Sequence, residues 1–233
     1  MNEAEEFAKA IQETARFGQL SVETAQKAGG FFARVLKVPI EEGAGIIADK
    51  LRFVRWKRLI HMADEVNAIL EAKGVRETRS VPPKLALPIM EEATLEEDES
   101  LRSLWNHLLA NAMNPDFNDE LRYGFIDMIK NITAIEARLL HGLYVTLERE
   151  RKLLPLYRLY AFNFKREGLE RELGLALDVY AVSANNLMRM QLIGPAILKG
   201  GIGIGSEPIT IYKGIDAVSL TPLGAKFVEA CMR

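Results

Sequence analysis

This sequence predicts a mainly α protein, a helical bundle joined to a small C-terminal unit that contains a β-hairpin. Three observations lead there. Apolar residues recur at helical spacing through most of the first 165 residues. Capping signals, prolines and glycines cut that pattern into helices of ordinary length. After Gly168 the pattern changes to short alternating apolar stretches rich in glycine.

Residues 1–74 read as an N-terminal helical segment. Phe7, Ile11, Thr14, Ala15 and Gly18 fall at helical spacing, with Glu5, Lys9, Glu13 and Arg16 elsewhere on the cylinder. Gly29, Gly30 and Pro39 are breaks, and the apolar turns between them hold Phe31 and Phe32. A long helix is expected to start near Pro39, because proline is tolerated in a first turn and Glu41 and Glu42 suit the positive end of the helix dipole. It continues through Leu51, Phe53, Trp56, Ile60, Ala63, Val66 and Leu70, and Gly74 is its natural stop. Residues 75–83 read as a linker. Arg76 to Ser80 carry no apolar stripe, and Pro82-Pro83 stiffens the chain where the next segment begins.

Residues 84–165 read as a central helical bundle. Thr94-Leu95-Glu96-Glu97 has the spacing of a capping box, expected to open a helix with Leu101, Leu104, Trp105, Leu108, Leu109 and Ala112 on one face. Asn114-Pro115 ends it. Leu121, Phe125, Met128 and Ile129 make the next helix. Thr133-Ala134-Ile135-Glu136 is a second capping box, before Leu139, Leu140, Leu143 and Leu147. Leu153 to Phe164 is expected to be helical.

Residues 166–233 make the C-terminal unit. Leu173 to Leu192 gives one or two helices, with Val179, Val182, Leu187, Met190 and Leu192 as expected core. Gly194-Pro195 is followed by an alternating stretch with many glycines, Ile197 to Gly205. Ile209–Tyr212 and Ala217–Leu220 read as strands, and Thr221-Pro222 as an N-cap with proline at the first helical position. Helix, hairpin, helix is the order of a winged-helix-like unit.

Composition narrows the function classes. The chain has 233 residues, with 48% hydrophobic and 27% charged, a globular balance. A net charge of −2 offers no global attraction to nucleic acid or acidic lipid, so any such binding must be local. The one cysteine, Cys231, cannot form an internal disulfide, which fits a reducing cytoplasm. The acidic start, Met1 to Glu6, is unlike a secretory signal, and the best apolar window, Gly29 to Ile47, is interrupted by Arg34, Lys37, Glu41 and Glu42.

No reactive constellation stands out. His61, His107 and His141 fall on three different predicted helices without metal-ligand spacing, so no metal and no cofactor are expected. The acids Glu91, Glu92, Glu96, Glu97, Asp98 and Glu99 gather around a helix start, where the dipole favours them as a solvated cap. The glycines of Gly200 to Gly205 lack the following helix and Gly-Lys-Ser/Thr of a phosphate loop, and read as a wing tip.

Two clusters remain as candidate binding surfaces. Lys50, Arg52, Arg55, Trp56, Lys57 and Arg58 form the one dense basic patch, suited to an anionic surface such as lipid headgroups. Asn185, Asn186, Arg189 and Gln191 are the polar residues of the helix that a winged-helix unit would lay on DNA. Asn and Gln can read adenine and Arg guanine, but a single cation is a weak footprint.

The chain resembles the Abi-alpha (abortive infection alpha) family. The residues behind this are Val81 to Lys84, Glu99 to Ala112, Phe125 to Ala137, Leu187 to Ile193 and Leu220 to Val228, within a likeness running from about Pro39 to the C-terminus. The resemblance implies a largely helical bacterial protein of phage defence and supplies no active-site residues. The expectation is a non-enzymatic protein that acts by binding a protein partner, cytoplasmic, with peripheral association at the inner membrane surface through the basic patch and Phe31, Phe32 and Trp56. The alternative is a nucleic-acid-binding regulator using the C-terminal unit.

Overall fold

The computed structural model describes residues 50–151, 164–196 and 214–233. The expected helices before Lys50, with Phe31 and Phe32, the stretch from Leu153 to Asn163, the glycines from Gly200 to Gly205 and the strand Ile209–Tyr212 lie outside the described residues. Among the described residues the chain is mostly helical with one small sheet. Helices α1 (Lys50–Ala72), α2 (Pro83–Leu95), α3 (Glu99–Met113), α4 (Gly124–Lys130) and α5 (Ala134–Arg151) come first. Strand β1 (Phe164–Lys165) and helices α6 (Arg166–Leu173) and α7 (Leu177–Arg189) come next, then β2 (Ile193–Pro195), β3 (Ala217–Leu220) and α8 (Pro222–Cys231). None of these helices is long and apolar enough to cross a membrane.

The chain divides into two compact units. Among the described residues the first holds 50–97 and 105–118. Its core is built where α1 packs on α2: Ile60, Ala63, Val66 and Leu70 meet a helix that buries Leu85, Ala86, Ile89 and Ala93. Helix α1 closes with Gly74 in the left-handed region (φ 72°). Val75 N–H bonds to Leu70 O at 2.9 Å and Gly74 N–H to Glu71 O at 2.9 Å, the paired bonds of a glycine-ended helix. Helix α2 begins at Pro83, where the missing N–H takes nothing from the helix. Arg58 Nη1 donates to Thr94 O near the end of α2 at 2.9 Å, and Arg79 Nε donates to Ala112 O near the end of α3 at 2.9 Å. Both guanidiniums therefore satisfy carbonyls that a helix end leaves open.

One expected helix start is corrected. Thr94 does not open α3; it lies in the last turn of α2, where its hydroxyl donates to Glu91 O at 2.7 Å. The residue that opens α3 is Asp98. Its Oδ1 accepts from Ser100 N–H at 2.9 Å, from Leu101 N–H at 3.2 Å and from the Ser100 hydroxyl. The Ser100 hydroxyl and these backbone donors hold the Asp98 carboxyl below the usual carboxylate range.

The second unit holds 98–104 and the described residues from Asp119 onward. Its sheet is antiparallel in the order β1-β3-β2, with Phe164 opposite Val218 and Ile193 opposite Leu220. All four residues of the central strand β3 are buried. Helix α5 packs against α6, α7, α8 and β3, burying Leu139, Leu140, Leu143 and Leu147 as its leucine spacing predicts. Phe125 meets Phe227 edge to face, with centroids 5.7 Å apart. Tyr180 is fully buried and donates to Ile215 O at 3.1 Å; burial pushes its hydroxyl up to about 12.

Three further expectations are corrected here. Phe164 is in a strand, not at a helix end. Gly194-Pro195, assigned to no element above, is part of β2, an edge strand, where proline's missing N–H is tolerated. Leu121 precedes α4 instead of lying in it. Val182 is 71% exposed; the buried face of α7 is Tyr180, Ser183, Ala184 and Leu187. The start of α8 is as expected, with Thr221 Oγ1 accepting from Gly224 N–H at 2.9 Å and Pro222 in the first turn.

Candidate functional site

Helix α7 carries most of the predicted polar readers, and the structure separates them into three groups. Asn185 is exposed, and its Nδ2 donates back to Ala181 O one turn earlier at 2.9 Å. Asn186 is tied inward. Its Nδ2 donates to Glu136 Oε1 at 2.9 Å and to Asn131 O at 3.1 Å, while its Oδ1 accepts from Arg189 Nη2 at 2.8 Å and Nε at 3.2 Å. An asparagine amide has two donor hydrogens and two acceptor lone pairs, so all four positions are engaged. Reading an adenine edge with Asn186 requires breaking these bonds.

Gln191 lies beyond the helix, which ends at Arg189. Its φ is 60°, the left-handed region that favours glycine, and the pattern matches that at Gly74. Leu192 N–H bonds to Leu187 O at 3.0 Å and Gln191 N–H to Met188 O at 2.9 Å. A Cβ at this backbone geometry is strained by about 1–2 kcal/mol. Gln191→Gly is therefore expected to stabilise the protein by about 0.5–1 kcal/mol after the entropy of a freer unfolded chain is subtracted. Urea denaturation of the two proteins checks this as a higher midpoint at unchanged slope.

The partner of Asn186 is a residue the predicted site lacked. Glu136 is only 3% exposed, and its Oε2 accepts from Thr133 N–H at 2.7 Å while Thr133 Oγ1 accepts from Glu136 N–H at 3.2 Å. The capping box at the start of α5 is thus present as its spacing predicts, and the same carboxylate reaches α7. The Thr-x-x-Glu spacing signals the first role. No local signal marks the second, because Asn186 is fifty positions away in the chain.

What α7 presents outward is one apolar side chain, Val182, among polar ones, with Leu177 exposed at the helix start. Leu177 is 55% exposed and Val182 71%. Asp178, Asn185 and Arg189 are exposed with them. One acid and one cation on this face cancel.

The basic cluster lies on α1. Lys50, Arg52, Arg55 and Trp56 occupy its first turns, and Lys57 is exposed. Arg58 is engaged elsewhere, on Thr94 O and 3.7 Å from Glu97 Oε1. His61, His107 and His141 lie on α1, α3 and α5, and His61 Nε2 is 3.6 Å from Glu65 Oε1. Among the described residues no group of three His, Cys, Asp or Glu is placed to hold a metal ion. Of the expected acidic cap, Glu91, Glu97, Asp98 and Glu99 are exposed, and Glu92 and Glu96 half-buried. Cys231 is fully buried on α8, and burial pushes its thiol well up, so thiolate chemistry at neutral pH is disfavoured.

The family model described as abortive infection alpha matches residues 55–231. The chain belongs to this family. Its Abi-alpha region begins inside α1 and ends with the last residue of α8. It therefore includes Glu136, Asn186 and the whole of α7, as well as Arg55 to Arg58 of the basic cluster. The family's name points to abortive-infection-type defence. No curated protein and no solved structure matches this Abi-alpha chain.

Proposed function

We propose that this Abi-alpha protein is a non-enzymatic effector of defence against phage in the bacterial cytoplasm, and that it acts by binding a protein partner through the outer face of α7. The observation that carries this reading is Val182, 71% exposed in the middle of a helix whose opposite face is fully packed. An isolated exposed valine is ordinary. Here it shares a helix face with exposed Asn185 and with a balanced pair of charges, Asp178 and Arg189, a surface suited to a neutral protein patch with an apolar centre.

The order β1-α6-α7-β2-β3, with β3 between β1 and β2, supports reading the C-terminal unit as a winged helix in which α7 takes the recognition position. That topology also keeps a nucleic-acid reading in view, for which Arg189 is the critical residue. Phage challenge of cells producing each variant separates the two. Val182→Asp is expected to abolish protection while the purified protein melts as the wild type does, and Arg189→Ala, which removes only a charge at the edge of the patch, is expected to reduce protection much less. Full protection by Val182→Asp overturns the proposal. Loss of protection by Arg189→Ala, together with salt-dependent DNA binding by the wild type, transfers the function to nucleic acid.

The first turns of α1 favour a second contact, with an anionic bilayer. Lys50, Arg52, Arg55 and Lys57 precede the stretch from Ile60 that packs on α2. Each basic residue near such a surface contributes about 1 kcal/mol. Co-sedimentation with vesicles containing phosphatidylglycerol but not with pure phosphatidylcholine is the expected result. Equal binding to both, or none to either, rejects it.

A further inference from the structure

We propose that a cleft beside α5, in the second unit, binds a small aliphatic carboxylate, its apolar chain on the cleft floor and its carboxylate on Arg138. The cleft has a volume of about 400 Å³, within the usual range of small-molecule sites. Leu104, Ala137, Leu173 and Met232 are its apolar lining, taken here as its floor, and Ser100, Ser103, Arg138 and His141 its polar lining. No carboxylate lines it. Arg138 and His141 are both exposed on α5, and neither forms an ion pair among the described residues. The complement of this lining is an anion attached to an apolar body. A free phosphate would leave the floor unused. An uncharged alkane would leave the guanidinium, with its planar fork of donors suited to a carboxylate, without a counterpart.

Gly142 is the independent observation. It lies in the interior of an 18-residue helix, four positions after Arg138, where glycine is less favourable than alanine. No packing demand explains it. A Cβ at Gly142 meets only Leu173 Cδ2, at 3.8 Å, an ordinary contact. The effect of the missing side chain is to leave the cleft open between α5 and the end of α6.

Titration calorimetry of the full chain with octanoate tests the proposal, with octanol as the uncharged probe. Octanoate is expected to bind saturably and one to one, with octanol weaker by about tenfold or more, since a charge-assisted fork is lost. Arg138→Gln is expected to weaken octanoate by a similar factor. Gly142→Leu is expected to remove binding by filling the cleft, with Leu173→Trp as a second filler from the opposite wall if the first does not fold. The proposal is overturned by absence of saturable octanoate binding to the wild type, by octanol binding as tightly, or by Arg138→Gln binding undiminished. Self-association that Gly142→Leu abolishes, without octanoate binding, assigns the cleft to a second copy of the chain and equally overturns it.

Discussion

Gly224→Ala is expected to destabilise the protein by about 3 kcal/mol or more, lowering the melting temperature by about 6 °C or more. A Cβ at this position would lie 2.0 Å from Leu192 O and 2.9 Å from Leu192 C, both backbone atoms that no rotamer change can move aside. The obstructing carbonyl is itself fixed, because Leu192 O accepts from Thr221 N–H at 3.1 Å. Gly224 N–H in turn donates to Thr221 Oγ1, the cap of α8. Relieving the clash therefore means pulling α8 away from β2 and losing the cap bond, a further 1 kcal/mol or about that. Phe227 and Val228, both fully buried one turn on, would move with it. Gly168→Ala is the control. Gly168 is also helical, but nothing lies within 4 Å of a Cβ there. Its replacement is expected to be neutral or to stabilise by up to about 1 kcal/mol. Thermal melts of the two variants that shift alike would mean that close approach is not what Gly224 supplies.

Much of this fold is legible in the sequence wherever a local signal is also the decisive one. Gly74 ends α1, Thr133 and Glu136 bracket the start of α5, and Thr221-Pro222 opens α8, because each depends on backbone groups within four residues. The failures have a common cause. Thr94-Leu95-Glu96-Glu97 has capping-box spacing, but α2 still occupies Thr94, and Asp98 supplies a better-placed carboxylate for α3. Val182 fits the apolar spacing of α7 but faces outward, since Tyr180, Ala184 and Leu187 already fill the inner face. Arg58 reads as part of a basic patch because its acceptor, Thr94 O, is thirty-six positions away. Spacing shows which groups lie on one face of a helix. It does not show which face a distant element covers, and binding surfaces depend on that.

Glu136→Ala is expected to cost about 2–4 kcal/mol, the second large effect, through stranded donors more than lost burial. The carboxylate is 3% exposed and accepts from Thr133 N–H and from Asn186 Nδ2. Truncation leaves both donors without it, and a buried donor left unpaired costs about 1–3 kcal/mol. Glu136→Gln discriminates the hydrogen-bond account from a simple volume effect. The amide keeps the shape but has only one oxygen, so its NH2 must face either Thr133 N–H or Asn186 Nδ2, donor against donor. It is therefore expected to lose about 1–3 kcal/mol despite being nearly isosteric. A glutamine variant as stable as the wild type in urea denaturation would show that the carboxylate is not what holds α7 to the start of α5. The same network makes a sharper statement through Asn186→Ala. Combined with Glu136→Ala, it is expected to cost clearly less than the sum of the two single changes, because each removes a partner of the same bond. Strict additivity would mean that Asn186 and Glu136 act separately. Asn186 would then be released from its structural role and available to a ligand, and the nucleic-acid reading of α7 would gain the base-reading side chain that this hydrogen-bond network now denies it.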